Sequence, residues 1–80
     1  MQRQLTKSNE RRLSSIGTYL REWRFSEGMT REQVSNEIKI HRHTLRRIEK
    51  GIGGYNIVHV FELADYFGVS PEEVISIGEE

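Results

Sequence analysis

The stretch at residues 29–51, MTREQVSNEIKIHRHTLRRIEKG, constrains the fold more than any other part of this 80-residue chain. Thr30 and Gln33, three residues apart, have the spacing of a capping box, which predicts the start of a second helix. A third helix is expected from about Arg42 to Lys50, with Gly51 ending it. The apolar residues that we expect to face the interior are Val34, Ile38, Leu45 and Ile48. Two short helices joined by a tight turn follow from this pattern.

Apolar residues at helical spacing predict three further helices. The first covers about residues 13–27, the fourth starts after Asn56, and the fifth starts at Ser70-Pro71. Their expected inward residues are Leu13, Ile16, Leu20, Trp23, Ile57, Val60, Phe61, Ala64, Phe67, Val74, Ile75 and Ile77. No segment alternates as a strand would. The fold class predicted is therefore all-α, with five helices around one core over residues 13–78, preceded by a flexible basic arm at residues 1–12.

Charge is distributed unevenly along the chain, although the net charge is zero. All twelve Lys and Arg residues lie at or before Lys50, against six acidic residues, a balance of +6. From Gly51 onward there are six acidic residues and no Lys or Arg, a balance of −6. Such asymmetry favours a polyanion as the partner of the basic half, with a chance dipole on a small domain as the alternative.

Composition excludes several classes of protein. The chain has no cysteine, so neither disulfides nor thiolate metal sites are expected. No apolar run approaches the roughly 18 residues of a membrane span, and no secretory signal is recognisable. We therefore expect a cytoplasmic protein without a membrane partner.

The third helix has a narrow apolar face and a wide polar one. Its polar residues are Arg42, His43, Thr44, Arg46 and Arg47. An arginine can bond bidentately to guanine O6 and N7 in the major groove of duplex DNA. This pattern indicates a helix that lies in that groove; the alternative is a solvated helix face with no partner.

The quoted motifs resemble the Cro/cI-type helix-turn-helix family, also called the XRE family, typified by phage repressors. The resemblance runs from Ile16 to about Ile75 and includes the Ile48-Glu49-x-Gly51 ending and the Val69-Ser70 connection. It implies a compact five-helix, lambda-repressor-like DNA-binding domain whose second and third helices form the motif.

The resemblance also implies roles for individual residues. Base contacts are implied for Arg42, His43 and Arg47, with Thr44, Arg46 and His41 near the base edges or the backbone. Phosphate contacts are implied for Arg31 and for a loop segment that comprises Gly54, Tyr55 and Asn56. Arg24 and Glu49 match a structural ion pair that ties the first helix to the end of the third.

The chain departs from the family pattern in two places. Lys39 stands in the turn where the family often has glycine, and a left-handed conformation there would cost lysine roughly 1 kcal/mol. We therefore expect a longer or differently shaped turn. The acidity after Gly51 predicts modest affinity for DNA from a lone domain, with a dimer or a partner protein supplying the rest.

Two DNA-binding functions and an enzymatic one are the candidates for this sequence. The leading one is a sequence-specific regulator, a repressor that binds double-stranded operator DNA as a homodimer. The second is an antitoxin-like protein that binds its own operator and a toxin partner. An enzyme is not expected, because the side chains of His41 and His43 should diverge and no acid pair, nucleophile, metal site or cofactor site supports them. The glycine-rich loop at 51–55 also lacks the strand and the Gly-Lys-Ser/Thr of a nucleotide-binding loop.

Overall fold

The computed structural model describes residues 7–79, and these residues form five α-helices and no strand. The helices are α1 (Lys7–Ser26), α2 (Arg31–Ile38), α3 (Arg42–Lys50), α4 (Ile57–Tyr66) and α5 (Pro71–Glu79). The predicted all-α class with five helices is confirmed. Across the described ranges, every helix is too short or too polar to cross a lipid bilayer.

Helix α1 begins at Lys7, six residues before the start expected from the apolar spacing. The added turns lie beside α5, where Arg12 Nη2 is 3.9 Å from Glu79 Oε2. Residues 7–12 are thus helical, while residues 1–6 lie outside the described residues. The division into an arm at 1–12 and a domain at 13–78 stays a prediction.

Local capping sets the ends of the helices as the sequence predicts. The Thr30 hydroxyl accepts a hydrogen bond from the Gln33 backbone N–H at 3.1 Å, and the Gln33 side chain accepts from the Thr30 N–H at 2.8 Å. The Asn56 side chain accepts from the Val58 N–H at 3.0 Å. Gly51 ends α3 with a φ of 69°, a left-handed conformation that glycine adopts readily.

The turn between α2 and α3 differs from the expectation. Lys39 itself takes the left-handed conformation, with φ 59° and ψ 32°, so the prediction of a longer or reshaped turn is wrong. Its N–H donates to the Ser35 carbonyl at 3.0 Å, and the Ser35 hydroxyl donates to the Ile40 carbonyl. These bonds and the burial of Ile40 hold the strained residue in place.

The core joins all five helices. Its buried apolar residues are Leu20, Val34, Ile40, Leu45, Ile48, Val60, Leu63, Ala64, Val69 and Val74. Two predicted inward residues are wrong, since Ile57 is 51% exposed and Ile75 is 57% exposed. Ile57 is the first residue of α4, beyond the end of the core, and Ile75 is turned away from the buried edge of α5 that Val74 and Gly78 form.

Close packing between α1 and α3 fixes the position of α3. A methyl group added at Gly17 would overlap the Ile48 carbonyl oxygen and lie 2.8 Å from the Glu49 carbonyl oxygen. One added at Gly51 would lie 2.6 Å from Ser14 Cα. The two backbones therefore touch over the last turn of α3, and no larger residue fits at either glycine.

Candidate nucleic-acid interface

The outward face of α3 consists of exposed basic side chains. Leu45, Ile48 and Glu49 are buried, so their spacing turns the rest of the helix outward. The predicted base-contacting residues that are exposed are His41, Arg42, His43, Arg46 and Arg47, while Thr44 is half-buried. The structure thus brings all six predicted residues to one short helix and its cap.

The start of α3 is organised by two histidines. His41 is the N-cap, and its Nδ1 accepts a hydrogen bond from the His43 N–H at 3.1 Å. The two rings stack with centroids 4.9 Å apart and planes 20° apart. The expectation that these side chains diverge is wrong, because His41 precedes the helix with φ −59° and ψ 140° and does not follow helical spacing.

The glycine-rich loop after α3 is joined to the helix by Arg47. The Arg47 Nη1 donates to the Gly53 carbonyl at 3.3 Å. Gly54 follows with φ 86°, and Asn56 caps α4. Tyr55 is half-buried against the core, and burial raises the pKa of its hydroxyl. The predicted phosphate-contacting loop residues accordingly lie next to the end of the basic helix.

Arg24 and Glu49 form a buried two-point ion pair. Arg24 Nε donates to Glu49 Oε2 at 2.7 Å, and Arg24 Nη2 donates to Glu49 Oε1 at 2.9 Å. The third nitrogen, Nη1, donates to the Met29 carbonyl at 2.8 Å, which ties α1 to the entry of α2. Parallel bonds of this kind are both strong and directional.

Arg31 lies at the first position of α2 and also contacts Glu49. Its Nε donates to Glu49 Oε1 at 3.0 Å. The Arg31 side chain is 37% exposed, against 2% for the Glu49 side chain. One carboxylate therefore holds two guanidinium groups, one buried and one at the surface.

The basic surface around α3 contains two shallow grooves. One is lined by Arg31, Arg42, His43 and Arg46, between α2 and α3. The other is lined by His43, Arg46, Arg47, Lys50 and Ile52, between α3 and the loop. Both present guanidinium and imidazole donors without an acidic side chain on the rim, so they can bind anionic oxygens. Within residues 7–79, no cluster of three or more metal-ligating side chains occurs.

Two features of the site escaped the sequence reasoning. The contact between Arg31 and Glu49 joins residues that are 18 positions apart, and no local pattern marks it. The close approach at Gly17 did carry a signal, since a glycine inside a predicted helix often indicates backbone packing.

Comparison with known proteins identifies the family of this chain. A family model described as a helix-turn-helix domain matches residues 15–75 of the chain. No curated protein and no solved structure matches it significantly. The matched range includes the basic face of α3, the glycine-rich loop and the Arg24–Glu49 pair.

Proposed function

This chain belongs to the helix-turn-helix domain family, and from that premise we propose that it is a sequence-specific transcriptional regulator, a repressor, that binds double-stranded DNA. In this proposal α3 enters the major groove and its exposed residues meet base edges. Arg31 and the loop segment with Gly54, Tyr55 and Asn56 bind the flanking phosphates. The ion pair between Arg24 and Glu49 fixes the angle of α3.

The observation that carries the proposal is the exposed basic face of α3. Arg42, Arg46 and Arg47 are all exposed on a helix of nine residues that is held from behind by α1. Base edges in the major groove accept hydrogen bonds from such side chains, and a good bidentate pair discriminates by about 1–3 kcal/mol. This exposed basic face supports the proposal that α3 reads the groove.

We propose a homodimer on DNA, because the loop proposed to bind a flanking phosphate has no Lys or Arg and the second half of the chain is acidic. Exposed apolar residues supply a surface that a second copy could cover. These are Ile57 and Val58 at the start of α4 and Ile75 on α5, each at least 51% exposed. The antitoxin-like alternative shares the DNA-binding half of the proposal and adds a toxin as the partner.

No catalytic function and no cofactor belong to this proposal, because the matched domain family is one of DNA binding. We propose that the protein is located with the DNA, in the cytoplasm and its nucleoid. No membrane is proposed as a partner. Each of these points follows from the proposed role.

The experiment that tests the proposal is selection of bound sites from random duplex DNA, with the mass of the complex measured on the selected sequence. We expect a two-fold symmetric site with half-sites about one helical turn apart, ~10 base pairs, and two chains per site. Enrichment of no sequence would contradict specific binding. Co-purification of a second protein that binds the chain without DNA would favour the antitoxin-like alternative.

A further inference from the structure

The carboxylate of Glu49 is shared between two arginines that differ in their remaining donors. Every nitrogen of the Arg24 guanidinium donates a hydrogen bond, two to Glu49 and one to the Met29 carbonyl. In Arg31 only Nε donates, to Glu49 Oε1 at 3.0 Å. The Arg31 terminal nitrogens have no hydrogen-bond partner among residues 7–79 and lie at the surface.

Holding Nε restricts the whole Arg31 guanidinium. The group is planar and rigid, so a bond at Nε restricts the orientation of the plane that contains the four remaining N–H donors. The Glu49 side chain is itself held in place, because it is 2% exposed and both of its carboxylate oxygens accept hydrogen bonds from Arg24. The exposed arginine is therefore attached to a rigid point in the interior.

The terminal N–H donors of Arg31 lie in a basic groove. Arg31 lines the groove between α2 and α3 together with Arg42, His43 and Arg46. Arg31 is also the first residue of α2, where backbone N–H groups and the helix dipole favour an anion. Two separate features thus favour a negative oxygen next to the terminal nitrogens of Arg31.

We propose that Glu49 is a positioning residue for DNA affinity: it fixes Arg31 as a pre-oriented fork for one DNA phosphate. This inference rests on the proposed function and adds a role for a buried acid. A free arginine loses rotamer freedom when it binds a phosphate, whereas this one is already held. The carboxylate therefore increases affinity for DNA even though its charge has the same sign as the phosphate.

The sign of that effect distinguishes positioning from simple electrostatics. Glu49→Gln removes a negative charge from the basic side of the molecule, so electrostatics alone predicts tighter binding. Loss of the fixed fork predicts weaker binding, by at least threefold, on both the selected site and a random duplex of equal length, whereas a displaced α3 that no longer meets base edges lowers affinity chiefly for the selected site. Glu37→Gln is the matched control, since it removes the same charge from an exposed residue of α2 that makes no ion pair among the described residues; its affinity should not fall.

A second variant covers the case in which Glu49→Gln does not fold. Arg31→Lys keeps the charge, but an ammonium cannot both pair with Glu49 and present a planar fork to a phosphate. We expect Arg31→Lys to bind DNA as weakly as Arg31→Ala, with the two affinities agreeing to within a factor of three. The unfolding midpoint of Arg31→Lys should equal that of the wild type. In Glu49→Gln and in Arg31→Lys, the slope of log affinity against log salt concentration should become shallower by about 0.9, the value for one phosphate contact.

Two results would overturn the inference. One is a folded Glu49→Gln variant that binds the random duplex as tightly as the wild type or more tightly. The other is an Arg31→Lys variant with wild-type affinity and salt slope, which would make Arg31 an ordinary mobile cation. A wild-type chain that binds no duplex at all would instead contradict the proposed function. Failure of the inference about Glu49 and failure of the proposed function are therefore distinguishable.

Discussion

At the scale of single residues, exposure separates the arginines of this molecule by role. Arg24 is 7% exposed and donates only to protein groups, whereas Arg42 and Arg46 project from α3 into solvent. A buried guanidinium contributes to structure through its partners, since removing one partner of a buried pair typically costs 3–5 kcal/mol. An exposed one contributes little to folding and is available for a ligand.

Arg42→Ala should therefore affect recognition and leave folding unchanged. We expect the preference for the selected site over random duplex to fall by about 1–3 kcal/mol, because one guanidinium-to-base contact is lost. The free energy of unfolding should change by less than about 0.5 kcal/mol, as for other exposed positions. Binding titrations on both duplexes and urea denaturation measure the two effects.

Lys50→Ala serves as the control for this change. It removes one charge from the same helix, at its last residue, and should weaken binding to both duplexes about equally. An Arg42→Ala variant that did the same would show that Arg42 contacts only phosphates.

At the scale of helices, the two turns that flank α3 are built from left-handed residues of different kinds. Gly51 ends α3 at φ 69°, and Lys39 ends α2 at φ 59°. The strain at Lys39 is of order 1 kcal/mol. It persists because the Ser35 backbone and side chain hold both sides of the turn.

Lys39→Gly should relieve that strain. The relief is partly offset by the larger entropy that glycine loses on folding, so the free energy of unfolding should rise by up to about 1 kcal/mol. Lys50→Gly is the matched control and should lower it by about 1 kcal/mol, since Lys50 is helical. Urea denaturation of the two variants measures the difference; a loss of stability in Lys39→Gly would mean that the lysine side chain stabilises the turn.

The contact between α1 and α3 permits a second test at this scale. Gly17→Ala places a methyl group against the backbone carbonyls of Ile48 and Glu49, which cannot rotate away. We expect a loss of about 1–3 kcal/mol in the free energy of unfolding, the usual range for overpacking. α3 should also be displaced, and binding to the selected site should weaken.

Gly78→Ala adds the same methyl group to α5 and is the control. There the nearest atom is Ile16 Cδ1 at 3.0 Å, the end of a flexible side chain, so the structure can adjust. Thermal unfolding of both variants tests the comparison. Equal losses would mean that the α1–α3 contact is looser than its geometry indicates.

At the scale of the whole molecule, α1 packs against both the basic helix α3 and the acidic helix α5. Adjacent residues of α1 face the two sides, with Gly17 against α3 and Ile16 beside Gly78 of α5. Exposed charges that lie farther apart than the Debye length, about 8 Å at physiological ionic strength, are largely screened from each other. The acidic half can therefore coexist with DNA binding.

Glu72→Gln combined with Glu79→Gln tests this screening. At about 0.01 M ionic strength, where the Debye length is about 30 Å, we expect tighter binding to any duplex because two repulsive charges are gone. At about 0.15 M the affinity should equal that of the wild type. Titrations at both salt concentrations measure this, and an equal gain at both would mean that α5 lies against the DNA.

The sequence by itself determined the five helices of this protein and the ends that carry caps, because capping and apolar spacing act within a few residues; α1, however, starts at Lys7, six residues before the expected position. The capping box at Thr30 and the stop at Gly51 are of this kind, and both are present in the structure. Tertiary structure alone decided which exposed and buried groups meet. The left-handed Lys39 depends on the packing around its turn, and the sharing of Glu49 between two arginines depends on where α1, α2 and α3 cross. Both features depend on how helices from separate parts of the chain pack together, and the residue spacing within a single helix does not specify that packing.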